Sequence, residues 1–427
     1  MDILVIGGGG REHAIVWKLR QSPNAEKIYC APGNAGMGEI ENVELVDISA
    51  VDIETLVEFA TLKNVGFVVI GPDDPLVLGA ADAFESKGFK VFGPRKNAAA
   101  LEGSKAFAKS FMKRNGIPTA DYQTFDNVDD AKAFSEKTAN EGKTVVIKAD
   151  GLALGKGVLI CKDYAEAENA LNEIFIGKKF GASGKTVVIE EYLEGREVTV
   201  LAFCDGKTVV PMISARDHKR ALDGDLGLNT GGMGVITSVP DFTDEISAVC
   251  MNEIILKTVE SLNKESIEYK GIIYFEIMLT PNGPKVIEYN ARFGDPEAEA
   301  LIPLLNCDLL EIFITCQSGN LKSADVKFKD AYAACVVVAA GGYPGDYKKG
   351  RIISGIDKAE SRKDTIVFHM GTKKIGDVTV TNGGRVLSVV SVGKTHREAL
   401  RKAYEAVDDI RFEGMFYRRD IGRSSIV

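Results

Sequence analysis

The chain lacks the cysteine and histidine patterns that build disulfide frameworks or zinc sites. Its seven cysteines are scattered along 427 residues without a CxxC pair, and it has only four histidines. A zinc site or a disulfide framework is therefore not expected, and a reducing compartment fits. We expect buried, reduced thiols and a cytoplasmic protein.

Long apolar runs and a surplus of positive charge are also missing. No stretch approaches the roughly 20 apolar residues that a membrane-spanning helix needs. The formal net charge is −9 and the isoelectric point is near 5.3, which argues against broad binding to nucleic acids or anionic membranes. We therefore expect neither nucleic acid nor a membrane as a partner.

The length of 427 residues predicts more than one domain. Strand and helix patterns alternate over the first hundred residues, which predicts an N-terminal doubly wound parallel α/β domain at residues 1–103. An α+β block follows at 104–326, and its residues from about 120 to 193 have the size of a small lid lobe. The pattern restarts near Lys327, which predicts a C-terminal α+β domain at 327–427. The expected fold class is thus a multidomain α/β and α+β protein.

A glycine run after the first strand, Gly7–Gly10, imitates a dinucleotide-binding fingerprint. The third glycine of GxGxxG would fall on Glu12, whose side chain would crowd the helix against the strand. The second strand also ends in Ala31–Gly33, without the acid that binds ribose. An NAD-dependent oxidoreductase is therefore disfavoured, although the loop can bind a phosphate at the helix N-terminus, with Arg11 nearby.

The most informative segment is Val286–Glu297, with the sequence VIEYNARFGDPE. Because side chains alternate along a strand, Glu288, Asn290 and Arg292 are expected to share one face. A carboxylate, an amide oxygen and an arginine in a row suit magnesium and the phosphates of a nucleotide. For this triplet alone, a solvated strand face is the alternative.

Two further segments fit phosphate and adenine recognition. Residues 148–158, KADGLALGKGV, link two strands as a glycine-rich flap whose N–H groups and lysines can approach phosphate. Residues 189–197, IEEYLEGRE, end a strand with groups that can serve adenine and the ribose hydroxyls. Taken alone, the alternatives are a flexible surface hairpin for the first segment and a charged loop for the second.

In this order, the flap lysine, the EEYLEGRE segment and the ExNxR strand resemble the ATP-grasp superfamily. The flanking motifs are similar to one of its families, the phosphoribosylamine–glycine ligases (glycinamide ribonucleotide synthetases). These motifs are GGREHA from Gly9, APGNAG from Ala31, LEGSK from Leu101, DHKR from Asp217, NTGGMG from Asn229, RFGDPE from Arg292 and TNGGRV from Thr381. The resemblance runs from the first strand to Arg419–Gly422.

The resemblance implies the ATP-dependent ligation of glycine to 5-phosphoribosylamine in de novo purine biosynthesis. The products would be glycinamide ribonucleotide, ADP and phosphate, formed through a glycyl phosphate intermediate. The implied cofactor is Mg²⁺ (or Mn²⁺), the implied co-substrate is ATP, and the implied partners are ATP, glycine and 5-phosphoribosylamine. The flap is expected to exclude water from the acyl phosphate. We expect a monomer or a weak homodimer.

Residue by residue, the same resemblance implies Arg292 and Lys148 as catalytic residues and Glu288, Asn290 and Glu276 as metal ligands. The residues expected to bind ATP are Lys105, Lys148, Gly151, Gly155, Lys156, Gly157, Glu190, Glu191, Leu193 and Glu197. The residues expected to bind the other substrates are Gly10, Arg11, Asn34, Asp73, Asp217, Lys219, Arg292, Asp295 and Glu297.

Three features depart from the family pattern, and one of them, Leu228 in place of a common proline before Asn229, is expected to have little effect. Glu276 stands where most members have a small residue, and related ATP-grasp enzymes use a carboxylate there as a second metal ligand; neutral variation is the alternative. The PEAE sequence of Pro296–Glu299 replaces the common PETQ, which weakens the assignment of the glycine site. Another ATP-grasp ligase or carboxylase would keep Lys148 and Glu288 but lose the DHKR and NTGGMG motifs, which this chain has. A third alternative is a non-catalytic binding module descended from such a ligase, and the intact metal and lysine positions argue against it.

Overall fold

The computed structural model describes residues 1–152, 157–322 and 326–423. These residues form an N-terminal α/β unit, a small lid lobe, and a large sheet that continues into the C-terminal part of the chain. Across these ranges, no helix is both long and apolar enough to cross a bilayer. The multidomain α/β and α+β class predicted from the sequence is confirmed.

The N-terminal unit is a sheet of parallel strands packed against helices. Its strands are β1 (Ile3–Gly7), β2 (Ile28–Pro32), β3 (Val43–Leu45), β4 (Phe67–Ile70) and β5 (Val91–Phe92). Its helices are α1 (Gly10–Leu19), α2 (Ile53–Leu62), α3 (Asp73–Leu78), α4 (Ala80–Ser86) and α5 (Lys96–Gly103). The spatial order β3-β2-β1-β4-β5 is the doubly wound arrangement that the alternating pattern predicts.

Two details of this unit concern the sequence interpretation. The segment Gly71–Pro75 has two prolines, as a loop would, yet helix α3 begins within it at Asp73. Pro75 lies in the first turn of that helix, where a missing N–H costs little. Glu12 fills the space beneath Gly7 and accepts a hydrogen bond from the Gly9 N–H at 2.7 Å. The carboxylate thus occupies the position that a dinucleotide fingerprint leaves to glycine.

Helix α6 (Lys105–Arg114) leads into the lid lobe, which has a hydrophobic core of its own. Its strands are β6 (Tyr122–Phe125), β7 (Val145–Ala149), β8 (Val158–Cys161) and β9 (Val187–Glu191), and its helices are α7 (Val128–Asn140) and α8 (Tyr164–Leu171). The strands are antiparallel in the order β6-β9-β7-β8. Strands β7 and β8 are the two arms of the predicted flap.

The large sheet begins after the lid lobe. Its region contains β10 (Arg196–Asp205), β11 (Val209–Pro211), β12 (Ala215–Asp217), β13 (Arg220–Leu222), β14 (Leu226–Asn229), β15 (Gly234–Thr237), β16 (Lys270–Thr280) and β17 (Gly283–Asn290). The helices of this region are α9 (Asp244–Cys250), α10 (Lys257–Lys264), α11 (Glu297–Leu301) and α12 (Leu309–Ser318). Strands β10 and β16 pair over ten residues and form the buried floor of the sheet.

The C-terminal residues extend the same sheet. They form β18 (Tyr332–Ala339), β19 (Thr365–His369), β20 (Thr372–Ile375), β21 (Val378–Thr381) and β22 (Arg385–Gly393), with helices α13 (Ile356–Glu360) and α14 (His396–Val407). The order is β17-β16-β10-β12-β15-β18-β22-β19, and β15 pairs with β18 from Gly234↔Val336 to Ile236↔Ala334. Hydrogen bonding between strands therefore crosses the predicted boundary at residue 326, so the C-terminal block has no main sheet of its own.

The loop after β17 is fixed by one aromatic side chain. Phe293 packs among Phe203, Phe313 and Phe92 at ring-centroid distances of 6.0, 6.3 and 6.5 Å. These rings come from the large sheet, α12 and the N-terminal sheet. The anchored ring therefore holds its neighbours Arg292 and Asp295 where the N-terminal sheet, the large sheet and α12 meet.

Candidate functional site

A cavity of about 680 Å³ lies between the lid lobe, helices α5 and α6, and the β10–β16–β17 side of the large sheet. It collects most of the residues that the sequence proposes. The proposed residues that line it are Asp73, Lys105, Lys148, Gly157, Glu190, Glu191, Leu193, Glu197, Asp217, Lys219, Glu276, Glu288, Asn290, Arg292, Asp295 and Glu297. The nucleotide, metal and amine groups proposed separately thus share one enclosed space.

Two polar residues proposed for phosphoribosylamine lie outside this lining and are engaged within the protein. Arg11 donates from Nε to Glu12 Oε1 at 2.5 Å and from NH1 to Phe293 O at 3.2 Å. Asn34 donates from Nδ2 to His369 O at 2.7 Å, and its Oδ1 accepts from the Met37 N–H at 3.1 Å. Both side chains join the N-terminal unit to the rest of the chain.

Of the glycines proposed to bind ATP or the other substrates, some line the cavity and others do not. Gly157 lines the cavity, whereas Gly10 begins α1 and Gly151 packs against Ser183 at the base of the flap. Gly151 has φ +98°, a left-handed conformation that favours glycine. Gly155 and Lys156 lie outside the described residues.

The proposed metal ligands are neighbours on adjacent strands. Glu288 on β17 pairs in register with Glu276 on β16, and Asn290 lies two residues beyond Glu288. Burial opposes the ionised form of Glu288, but Lys105, Lys148 and other cations outweigh it and lower the pKa of the carboxyl. Glu288 is therefore an ionised carboxylate, as a metal ligand must be.

The second carboxylate among the proposed metal ligands, Glu276, is already paired with Lys219. The Lys219 Nζ forms an ion pair with Glu276 and lies 3.4 Å from Glu197 Oε2. Among the residues described, no three acidic, histidine or cysteine side chains converge as a closed metal site. Magnesium needs only one or two protein oxygens when phosphates and water complete its shell, so Glu288 and Asn290 fit a metal that binds together with a nucleotide.

Arg292 is held by a partner that the sequence interpretation misses. Its NH2 lies 2.7 Å from Glu102 Oε1 and donates to Asn290 Oδ1 at 3.2 Å. The other Glu102 oxygen accepts from the Ala291 N–H at 2.7 Å. Burial raises the pKa of Glu102 to about 7, against the opposing effect of Arg292. Glu102 therefore fixes both the side chain and the backbone at this point.

A second missed residue is Lys109, which shares a carboxylate with Lys148, one of the lysines proposed to bind phosphate. Glu190 Oε2 accepts from Lys148 Nζ at 3.0 Å and from Lys109 Nζ at 2.9 Å. All three residues are buried. The neighbouring Glu191 is paired instead with Lys285 at 2.6 Å, on the outer side of the same strand end.

Acidic side chains concentrate at the opposite end of the cavity. The Tyr274 hydroxyl donates to Glu297 Oε1 at 2.8 Å. Burial, followed by the charge of Glu297, raises the pKa of Asp217 well above its ordinary value. Asp217 Oδ1 is buried without a hydrogen-bond partner among the described residues. This end of the cavity therefore has unused acceptor capacity suited to an amino group.

An arginine from the C-terminal strands closes this acidic end. Arg385 NH2 lies 2.8 Å from Asp295 Oδ1, and its NH1 donates to Asp295 O at 2.7 Å and to Gly231 O at 2.6 Å. Arg385 thus joins the TNGGRV, NTGGMG and RFGDPE motifs in one contact, although they are widely separated in the sequence.

Glu102, Lys109 and Arg385 could have been found only in part from the sequence. Glu102 and Arg385 lie within the family-like motifs LEGSK and TNGGRV. Lys109 lies in KAFAKSFMKR, which has the appearance of an ordinary surface helix. Its burial depends on contacts with the lid lobe and β17, which no local pattern reveals.

Family models match nearly the whole chain. They are the N domain, the ATP-grasp (A) domain and the C domain of "Phosphoribosylglycinamide synthetase", at residues 1–102, 103–298 and 333–424. A phosphoribosylamine–glycine ligase of Halalkalibacterium halodurans is 47% identical over 426 residues, covering 100% of this chain and 97% of that protein.

Solved structures agree with these matches. A crystal structure of a phosphoribosylamine–glycine ligase from Thermotoga maritima has a TM-score of 0.83 at 35% identity, covering 98% of this chain and 100% of that one. A biotin carboxylase from Campylobacter jejuni has a TM-score of 0.76 at 15% identity, covering 97% and 92%. At that identity, the second likeness concerns the fold alone.

Proposed function

The chain belongs to the phosphoribosylglycinamide synthetase family, and we propose on that premise that its cavity ligates glycine to 5-phosphoribosylamine with the use of ATP. The products are glycinamide ribonucleotide, ADP and phosphate, as in de novo purine biosynthesis. The observation that carries the proposal is the convergence of phosphate-binding cations, metal-type oxygens and buried acids in one cavity.

The chemistry needs positioned charges rather than a nucleophilic side chain. A glycine carboxylate oxygen attacks the γ-phosphorus, the bond to ADP breaks, and glycyl phosphate forms. The amine of phosphoribosylamine then attacks the carbonyl carbon, a proton leaves the nitrogen, and phosphate departs. Lys148 and Arg292 reduce the repulsion between the carboxylate and the γ-phosphate, the main obstacle to the first step.

The nucleotide would lie between the lid lobe and the large sheet. Lys105 and Lys148 would face its phosphates. Glu190 and Glu191, which end β9, and Leu193, which follows them, would lie beside its adenine, and Glu197 would reach its ribose. The glycines at 151 and 157 bound the flap, and Gly155 and Lys156 belong to the same proposed contact. Closure of the lid lobe over the cavity would keep water from the acyl phosphate.

ATP-grasp enzymes use ATP with a divalent metal, and we propose Mg²⁺ (or Mn²⁺) here. Glu288 and Asn290 would hold it, and Glu276 would join them if Lys219 released its carboxylate. When bound, the metal neutralises the phosphoryl group that is transferred. The lowered pKa of Glu288 supports the assignment, because the carboxylate is ionised before any metal binds.

The amine substrates suit the acidic end of the cavity. Asp217, Asp295 and Glu297 would face the amino groups of glycine and phosphoribosylamine, with Lys219 and Arg292 beside the anionic groups. Asp73, which lines the cavity, is the best supported contact to phosphoribosylamine in the N-terminal unit. Gly10, Arg11 and Asn34 are proposed for the same substrate, and the side chains of Arg11 and Asn34 have partners within the protein.

The remaining assignments follow from composition and motif order. We propose domain limits at residues 103 and 326 with a lid lobe at about 120–193, a cytoplasmic location, and a monomer or weak homodimer. The alternative function is another ATP-grasp carboxylate–amine ligase or carboxylase. The DHKR and NTGGMG motifs oppose it, since Asp217, Lys219 and Asn229 line the cavity.

The test is ADP release by the purified protein with Mg-ATP, omitting glycine or phosphoribosylamine in turn. The amine is labile and is generated in situ, with a known ligase run in parallel. Release that needs both substrates and collapses in Glu288→Ala supports the proposal, and Glu136→Ala, an exposed carboxylate on α7, is the matched control. Release with neither substrate, or none while the parallel enzyme works, rejects it.

A further inference from the structure

Two lysines share one oxygen of one buried carboxylate at the lid side of the cavity. Lys148 on β7 and Lys109 on α6 lie 3.0 and 2.9 Å from Glu190 Oε2 on β9. The exposed fractions of Lys148, Lys109 and Glu190 are 3%, 2% and 5%. Two cations therefore share one directly bonded carboxylate, and the charge of Glu288 also acts on both lysines.

The two lysines are not equivalent. Lys109 has a further contact, since its Nζ donates to Thr119 Oγ1 at 2.8 Å, and the Thr119 hydroxyl donates to Val286 O on β17 at 2.7 Å. Lys148 Nζ has a long contact of 3.5 Å to Ile287 O besides its bond to Glu190. Lys109 is therefore fixed to the body of the protein, and Lys148 is the lysine that can turn towards a ligand.

The second oxygen of the shared carboxylate is also informative. Glu190 Oε1 is buried and has no hydrogen-bond partner among the described residues, and Glu190 lines the cavity. Burial lowers the pKa of Lys109 to about 8, although Glu190 opposes that effect. An isolated carboxylate at this depth would be strongly disfavoured, so Glu190 needs at least one cation at all times.

We propose that Lys109 is a positioning residue for ATP, because it remains on Glu190 and so releases Lys148 to the nucleotide phosphates. Without Lys109, Glu190 would keep Lys148 as its sole cation, and ATP would have to compete with a buried carboxylate for that lysine. The inference rests on the proposed nucleotide site, and it gives Lys109, which also lines the cavity, a role that acts through Glu190 and Lys148.

The first test compares Lys109→Met and Lys109→Arg in the ligase assay. We expect Lys109→Met to raise the KM for ATP about tenfold or more, as when a charge-assisted contact is weakened by ~1.4 kcal/mol, while the KM for glycine stays within about twofold. Lys109→Arg should restore most of the ATP affinity, since arginine can keep the pair with Glu190. Lys113→Met, an exposed lysine one turn further along α6, is the control.

A double-variant cycle tests whether Lys109 acts through Glu190 and guards against a misfolded single variant. Lys109→Met combined with Glu190→Gln removes both charges, so the pair stays electrically balanced. We expect its KM for ATP to match that of Glu190→Gln alone, because Lys148 is already free in that variant.

Three results would overturn the inference in an active protein. They are an unchanged KM for ATP in Lys109→Met, equal increases in the KM values for ATP and glycine, or additive effects of the two substitutions. A wild-type protein that releases no ADP with both substrates would instead reject the proposed function, so the two failures are distinct.

Discussion

Glu102 binds Arg292 at both the side chain and the adjacent backbone, with a 2.7 Å ion pair to NH2 and a 2.7 Å hydrogen bond from the Ala291 N–H. The carboxylate comes from the last turn of α5 and the arginine from the loop after β17. The packing of the N-terminal unit on the large sheet is thereby coupled to the position of the main cation of the proposed site.

The first prediction concerns this pair. Glu102→Ala should lower kcat/KM about 100-fold, the scale expected when a reacting group is displaced by about 1 Å. Glu102→Gln should lose less activity, because its amide oxygen can still accept from Ala291. Steady-state kinetics measure the effect, with Glu54→Ala, an exposed acid on α2, as the control. Wild-type kinetics in Glu102→Ala would show that Arg292 does not depend on this partner.

The second prediction concerns acid stability at the contact between α1 and β19. The backbone N–H of His369 donates to His13 Nδ1 at 2.8 Å, and the imidazole rings of both residues are buried. Burial, with a contribution from His369, lowers the pKa of His13 to about 3, and burial lowers the pKa of His369 to about 4. In the unfolded chain both rings bind protons near pH 6.5.

Because the unfolded chain binds more protons in this window, the free energy of unfolding should fall as the pH drops below about 6.5. The loss should be about 2 kcal/mol per histidine between pH 7 and pH 5. His13→Gln removes one of these groups and should show a smaller loss between the two pH values. Urea denaturation measures it, and an equal loss in the variant would contradict the assignment.

The third prediction concerns Glu299, which stands where a glutamine is common in the family. Its carboxyl is fully buried, and neither oxygen has a hydrogen-bond partner among the described residues. Burial, followed by the charge of Asp295, raises the pKa of Glu299 well above its ordinary value. The folded chain therefore retains a proton that the unfolded chain releases.

For such a group, stability is lost as the pH rises above the ordinary glutamate pKa of about 4.3. Glu299→Gln should therefore melt at a higher temperature than the wild type at pH 8, and the difference should shrink towards pH 5. Thermal denaturation at the two pH values measures this. A variant that is less stable at pH 8 would show that Glu299 is ionised and paired in the folded state.

The sequence predicted the parts of the site that depend on local pattern. Strand alternation predicted that Glu288 and Asn290 share one face, and most of the residues proposed to bind the nucleotide line one cavity. The edge strand β3 and the helix α3 have weak local signals. The first is only three residues long, and the second begins in a proline-rich segment whose composition is typical of a turn.

What the sequence could not give is long-range pairing. Lys109 is buried because the lid lobe and β17 close over α6, and Arg385 reaches Asp295 because β18 continues the large sheet beside β15. Neither contact is signalled by a periodic pattern of residues in the sequence. Arg11, beside the glycine loop that can bind phosphate, and Asn34, in the loop after β2, illustrate the converse, since both side chains hold parts of the chain together.

The proposed reaction activates glycine as an acyl phosphate in this cavity. The most direct measurement is mass analysis of the inorganic phosphate formed from glycine labelled with ¹⁸O in both carboxylate oxygens. We expect one labelled oxygen in each phosphate released, because a glycine oxygen attacks the γ-phosphorus and leaves with it. Unlabelled phosphate, formed together with glycinamide ribonucleotide, would contradict the account.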